Sequence, residues 1–211
     1  NIGGIHQMEG RSKEAIDYFE RAIELSIEIG RMPTASLHKG NLGNAYKNLG
    51  QYKEAIIHYE EAIKIGKKSD NKRPIGIHLG NLGDAYAKLG RHKEAESSLK
   101  EAIAITDPIM PTAAGAFRGS LALLLGQNGD LQEAYQVLEV GEPQVQTNPG
   151  EYAKFLCKKG QILKLDQKEK RARRELAKAE TIADAISCGP DSEVRKAVEE
   201  LRKLIDTDPE S

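Results

Sequence analysis

The chain has 211 residues, with 31 Lys and Arg against 32 Asp and Glu, and a formal net charge of −1. That balance gives no electrostatic reason to expect nucleic acid or an anionic membrane as the main partner. With 39% hydrophobic and 30% charged residues the composition fits amphipathic helices with one wet face, and the absence of tryptophan argues against a deep aromatic ligand cage.

No apolar run approaches the length needed to cross a bilayer, and no secretory signal is present. Cys157 and Cys188 are too few for a disulfide framework, so they are expected to be buried or half-buried free thiols in a reducing, cytoplasmic setting. The chain starts at Asn1, inside a helix, and is read as a fragment with more sequence before it.

In chain order the pattern predicts helix pairs. The first pair falls near 1–9 and 12–29, with Gly10 in the turn and Ser12 as cap of the second helix. The next two fall near 34–49 with 52–67 and 74–89 with 92–106, turning at Gly50 and Gly90, where positive φ is tolerated. A fourth pair lies near 112–128 and 131–140, turning at Gly129 with Asp130 as cap. Pro33, Pro74 and Pro111 fall near helix starts, where a missing N–H costs nothing. The stretch 141–150 holds Pro143 and Pro149 and is expected to be irregular, shortening the helix before it. A fifth pair follows near 151–165 and 168–187. After Gly189 and Pro190 a last helix near 191–205 carries Val194, Val198, Leu201, Leu204 and Ile205 at helical spacing and reads as a cap. The final residues are expected to fray.

These pairs repeat. The anchors His6, Tyr46, Tyr86, Leu125 and Leu163 lie 40, 40, 39 and 38 residues apart. Nine residues after each comes an alanine: Ala15, Ala55, Ala95, Ala134 and Ala172. Thirteen after comes a large apolar residue: Phe19, Tyr59, Leu99, Leu138 and Leu176. Sixteen after comes a small one: Ala22, Ala62, Ala102, Gly141 and Ala179. Three before comes another: Gly3, Gly43, Gly83, Ala122 and Gly160. Small residues let facing helices approach, and the large residue fills the space beside them. A fixed period of this size means stacked units. The divisions are 1–30, 31–70, 71–109, 110–148 and 149–189, with 190–211 as capping helix and tail, all in one domain. The expected fold is all-α, a right-handed superhelical solenoid of antiparallel helix pairs.

The residues Leu42, Gly43, Tyr46, Ala55, Tyr59 and Ala62, and again Leu82, Gly83, Tyr86, Ala95, Leu99 and Ala102, resemble the tetratricopeptide repeat family. The period is longer than that family's usual 34 or so residues. It is similar to the extended repeats of kinesin light chains, spindle-orientation adaptors and bacterial multidomain signalling proteins. The resemblance implies that the first helix of each pair lines a concave groove that binds protein or peptide ligands. The groove residues it picks out are Asn41, Asn44, Lys47 and Asn48 in the second repeat and Asn81, Asp84 and Lys88 in the third. Ser120 and Gln127 come from the fourth, and Lys158, Gln161 and Lys164 from the fifth. An asparagine both donates and accepts, so a row of them can hold an extended backbone without reading its sequence. The bland alternative is that the asparagines only hold the repeats in register. Leu37 and Ile77 are forty residues apart and read equally as apolar side pockets or as core.

Some members of the family clamp a C-terminal carboxylate with asparagines and cations across three repeats. Asn44 and Asn81 match that pattern, but Gly40, Ala116 and Ser120 stand where cations are needed. The next frame has Lys154 and Lys158 but lacks cations at Gly80 and Ser120, and Asp84 would repel a carboxylate, so a clamp is rejected. The basic run 158–178 holds nine Lys or Arg against three acidic residues and reads as a solvated face rather than a nucleic-acid patch. No His or Cys pair has metal-ligand spacing, no phosphate loop follows a strand, and no nucleophile–His–acid set stands out. The chain is therefore read as a non-enzymatic scaffold without cofactor or metal, binding a protein or peptide in its groove. The second reading is self-association through the helical edge at Asn1, or intramolecular regulation within a larger signalling protein.

Overall fold

The computed structural model describes residues 12–68 and 71–207. The expected helix near 1–9, with Gly3, His6 and Gly10, lies outside the described residues, as do the side chain of Ser12 and the tail from 208. The chain divides after Ile109 into two compact units. The described residues form ten helices and no strand.

The first unit contains α1 (Ser12–Glu28), α2 (Met32–Asn48), α3 (Tyr52–Lys68), α4 (Lys72–Lys88) and α5 (His92–Thr106). Each helix packs on the next, and α2 also touches α4. The short connections make consecutive helices antiparallel. Their geometry is set by glycine. Gly50 has φ +75°, its N–H donates to the Lys47 carbonyl at 2.9 Å, and the Gln51 N–H donates to the Tyr46 carbonyl at 3.0 Å. These are the two bonds of a Schellman cap, which needs a left-handed residue between them. Gly30 and Gly90 repeat the arrangement, and so does Gly129 in the second unit.

The core follows the repeat. Ala15, Phe19, Ala55, Tyr59, Ala62, Ala95, Leu99 and Ala102 are all fully buried. A Cβ on Gly43 would lie 2.7 Å from the Tyr59 ring, and one on Gly83 would lie 2.6 Å from Leu99 Cγ. The small residue of a first helix therefore seats the large residue of the second. Burying a leucine such as Leu99 this completely contributes about 2 kcal/mol.

The second unit contains α6 (Pro111–Gln127), α7 (Leu131–Val145), α8 (Pro149–Leu165), α9 (Glu169–Ala185) and α10 (Glu193–Asp206). Here α8 is central and packs against α6, α7, α9 and α10. The helix α10 lays Val194, Val198, Leu201 and Ile205 against α8 and α9, while Leu204 faces outward. Gly160 receives Leu201, with a built Cβ only 2.5 Å from its Cδ2. Cys157 is buried in this core and Cys188 half-buried, both as free thiols. Burial, with Glu200 nearby, pushes the Cys157 thiol up to about 12.

Two local expectations are corrected. The helix α7 does not stop at 140 but runs through Pro143 to Val145, leaving only 146–148 as connection. Pro143 lacks the N–H that would bond the carbonyl of Glu139, but both residues lie on the exposed face of the helix, where a missing bond costs least. Meanwhile Gly141 and Val145 are buried, with Gly141 tight against Arg118 and Phe155, and that packing carries the helix past the proline. Asp130 occupies the N-cap position of α7 but its side chain makes no capping bond. Side-chain caps do form at Asn148, accepting from the Glu151 N–H at 3.1 Å, and at Ser192, accepting from the Arg195 N–H at 3.2 Å. Pro111 and Pro149 begin α6 and α8 and Pro33 lies in the first turn of α2, where no helical N–H is lost.

Candidate functional site

Helical spacing places Leu37, Asn41, Asn44 and Asn48 on one face of α2 and Ile77, Asn81, Asp84 and Lys88 on the matching face of α4. Within the first unit these two helices are in contact, so the two rows lie side by side. Asn41, Asn44, Lys47, Ile77, Asn81 and Asp84 are half-buried, whereas Leu37, Asn48 and Lys88 are exposed.

The asparagines are not equivalent. The Asn81 Nδ2 donates to the Asn44 Oδ1 at 3.0 Å, joining the two repeats directly. The same Asn44 Oδ1 accepts from the Tyr59 hydroxyl at 2.6 Å. Asn44 thus serves the register of the array. Asn41 makes no side-chain hydrogen bond among the described residues, and its amide is available on the face. Lys47 and Lys88 both interact within the protein.

Tyr59 is the contributor that sequence reasoning missed. The thirteen-residue offset assigns it to the core, and it is indeed fully buried. Its equivalents are Phe19, Leu99, Leu138 and Leu176, so it carries the one hydroxyl in that series. A buried phenol needs a partner, and that requirement is the signal that points to Asn44. A comparable bond ties Tyr86 of α4 to Glu60 of α3 at 2.5 Å. Burial first, and then Glu60, raise the Tyr86 phenol to about 12. Arg91 lies over the Tyr86 ring at 4.3 Å, which adds a cation–π contact.

In the second unit the predicted residues are differently placed. Ser120 is buried, with its Oγ accepting from Lys158 Nζ at 2.6 Å, so this pair is committed within the protein. Gln161 on α8 is half-buried and Gln127 at the end of α6 is exposed. Lys164 pairs with Glu169 at 2.6 Å. Lys154 is held between Glu151 at 2.9 Å and Glu193 at 3.2 Å. Burial alone would lower its ammonium, but the two carboxylates outweigh that and raise it above its usual range. Part of the basic run is paired in the same way. Lys159 pairs with Glu142, Lys168 with Asp166, Arg173 with Glu169 and Asp206, and Lys178 with Glu175.

Among the described residues no group of three His, Cys, Asp or Glu is placed to hold a metal ion, and no helix is long and apolar enough to cross a membrane.

Residues 33–107, which hold the Asn44–Asn81 pair, match a family model described as tetratricopeptide repeat, and residues 1–26 match a second model of the same description. Over these residues the chain is built of tetratricopeptide repeats. Solved structures with this fold include a Podosopora anserina putative kinesin light chain with nearly identical TPR-like repeats. It is 20% identical, with 87% of this chain and 93% of that one covered and a TM-score of 0.65. BtubC (BKLC) from P. vanneervenii is 18% identical, with 88% and 78% covered and a TM-score of 0.70. A Rap protein complexed with Competence and Sporulation Factor is 14% identical, with 97% and 62% covered and a TM-score of 0.68. At these identities the likeness is one of fold. No curated protein matches the chain. As a tetratricopeptide array the chain is a protein–protein interaction module, of an architecture that is typically non-catalytic.

Proposed function

We propose that the α2/α4 face of the first unit holds an extended peptide segment of a partner protein through asparagine side chains. The observation that carries this reading is the division of labour among the asparagines. The Asn44–Asn81 bond couples two neighbouring repeats, while Asn41 is half-buried on the same face with its amide uncommitted. A row of amides one repeat apart supplies donors and acceptors to a backbone whatever its side chains. Leu37 and Ile77 border that row on one side and Asn48 and Lys88 on the other, giving an apolar and a polar flank to a bound segment. The Rap neighbour complexed with Competence and Sporulation Factor is in keeping with a binding role for such an array.

The test uses the intact chain. A random twelve-residue peptide library is panned against it, and the selected peptide is titrated into the wild type and into the Asn41→Ala/Asn81→Ala double variant. Losing two hydrogen-bonding side chains should weaken binding roughly 30-fold, about 2 kcal/mol, with helicity unchanged. Equal affinity for both proteins would remove the site from this face.

A further inference from the structure

We infer that the α2/α4 face holds its peptide in one chain direction only, and that Tyr59 is the positioning residue that sets it. The inference rests on the peptide-binding reading and adds the polarity of the ligand.

The geometry identifies each amide atom. The Tyr59–Asn44 separation of 2.6 Å suits an O–H···O bond and is shorter than N–H···O bonds usually are. The Asn44 atom facing Tyr59 is therefore its carbonyl oxygen. The second contact of that oxygen, at 3.0 Å, has the ordinary length of an N–H···O bond, so the Asn81 atom facing it is the amide nitrogen. A carboxamide oxygen has two lone pairs, and both are now used.

What remains on offer is asymmetric. Asn44 on α2 has only its Nδ2 donors left, whereas Asn81 on α4 keeps its Oδ1 acceptor and one N–H. Neither amide turns over easily. A reversed Asn44 would set its NH₂ against that of Asn81 and turn a donor toward the Tyr59 hydroxyl that now donates to it. Tyr59 itself is fully buried, with its ring 2.7 Å from where a Cβ of Gly43 would stand, and it cannot follow.

In an extended chain the N–H and C=O of one residue point to the same side, as in a hydrogen-bonded residue of an antiparallel ladder. A ligand residue over this pair receives the Asn44 Nδ2 on its C=O and gives its N–H to the Asn81 Oδ1. Its N-terminal side then lies over α4 and its C-terminal side over α2. The ligand runs against the order of the helices. The opposite direction sets the ligand N–H against the Asn44 donors, so that only the second Asn81 N–H finds a partner and one of the two bonds is lost.

The array supplies its own control for the test. The first repeat has Phe19 in the place of Tyr59, equally buried, so Tyr59→Phe removes the hydroxyl with a side chain that this position accepts. The library-selected peptide is resynthesised with single backbone esters, each replacing one N–H. One ester should weaken binding to the wild type about tenfold and have no further effect on Asn81→Ala. Against Tyr59→Phe that loss should shrink to about threefold or less, because the amides are no longer held in one sense. A nitroxide two residues N-terminal of the sensitive position should broaden amide resonances of α4 more than those of α2, and one two residues C-terminal should do the reverse. The opposite broadening pattern overturns the direction, and an undiminished ester effect in Tyr59→Phe overturns the role of Tyr59. A library that yields no binder, or one indifferent to the Asn41→Ala/Asn81→Ala change, defeats the peptide-binding reading and this one with it.

Discussion

Gly40 of α2 and His78 of α4 meet so closely that a Cβ built on Gly40 would stand 1.9 Å from the His78 Cε1. The absent side chain at position 40 is what lets the two first helices touch, and the contact lies beside the Asn44–Asn81 bond. Gly40→Ala should therefore destabilise the chain although alanine is the better helix former. Overpacking costs about 1–3 kcal/mol, and the helix preference returns up to about 1 kcal/mol. His78 is only 3% exposed and has no room to swing away. Denaturant unfolding should show a midpoint lowered by the equivalent of about 1–2 kcal/mol with an unchanged slope. A midpoint at or above that of the wild type would show that the ring yields.

The same histidine makes the first unit sensitive to acid. Both of its ring nitrogens are buried without a partner. Burial lowers its pKa from 6.5 to about 4. On the packed helices Lys39 pairs with Glu61, Lys67 with Glu101, Lys100 with Glu96, and Glu60 with Tyr86. None contributes to the shift, whose cause is burial alone. Above pH 6.5 neither the folded nor the unfolded ring takes a proton, and stability does not depend on it. Between 6.5 and about 4 the unfolded ring is protonated and the folded one is not, so stability falls as pH falls, by up to about 3 kcal/mol. His38 and His58 are lowered in the same direction, chiefly by burial. No histidine lies beyond residue 92, so the second unit lacks this response. Hydrogen exchange at about pH 7 and about pH 5, either side of the unfolded histidine pKa, should show protection lost selectively in α2 and α4, and His78→Phe should remove most of the loss. Equal losses in α6–α10 would refute the assignment.

Much of this fold was legible because the repeat prints the same contact several times. The offsets from Tyr46 and Tyr86 predict that Gly43 and Gly83 seat Tyr59 and Leu99, and they do. The glycine turns at Gly50, Gly90 and Gly129 are equally readable, since positive φ names its residue. What escapes notice departs from the repeat. Gln167 takes the left-handed position where the others have glycine, and α7 passes Pro143 because buried neighbours hold it. In the candidate site, position on the helix face was legible but bonding was not. Spacing cannot distinguish Asn44, tied to Tyr59 and Asn81, from Asn41, which is tied to nothing among the described residues.

Gln167 itself is testable. It has φ +56° in the same cap geometry as the glycines, donating to the Lys164 carbonyl at 3.0 Å while Lys168 donates to that of Leu163 at 2.8 Å. A residue with a Cβ is strained there by about 1–2 kcal/mol, and glycine relieves this at the cost of a more flexible unfolded chain. Gln167→Gly should stabilise by about 0.5–1 kcal/mol, and the mirror change Gly90→Ala should destabilise by a similar amount. Space is not the issue at Gly90, where a Cβ would meet nothing within 4 Å. Melting curves of the two variants should move in opposite directions, and a shift the same way in both would mean that backbone strain is not what distinguishes these turns.

The helix caps give a comparison within one unit. Asp130, Asn148 and Ser192 all hold N-cap positions and all belong to residue types that cap well. Only Asn148 and Ser192 have side chains that accept a backbone N–H. If the hydrogen bond rather than the residue type stabilises the helix start, Asn148→Ala and Ser192→Ala should each cost about 1 kcal/mol, and Asp130→Ala much less. Because the chain has two units, a single unfolding midpoint could blend two transitions. The direct measurement is therefore hydrogen exchange in the first turn of α7, α8 and α10. Exchange should quicken at Glu151 in Asn148→Ala and at Arg195 in Ser192→Ala, where the lost acceptor was. In Asp130→Ala the first turn of α7 should exchange at the wild-type rate, since its amides never had that acceptor; faster exchange there would mean that the Asp130 charge, acting on the helix dipole, does the stabilising instead.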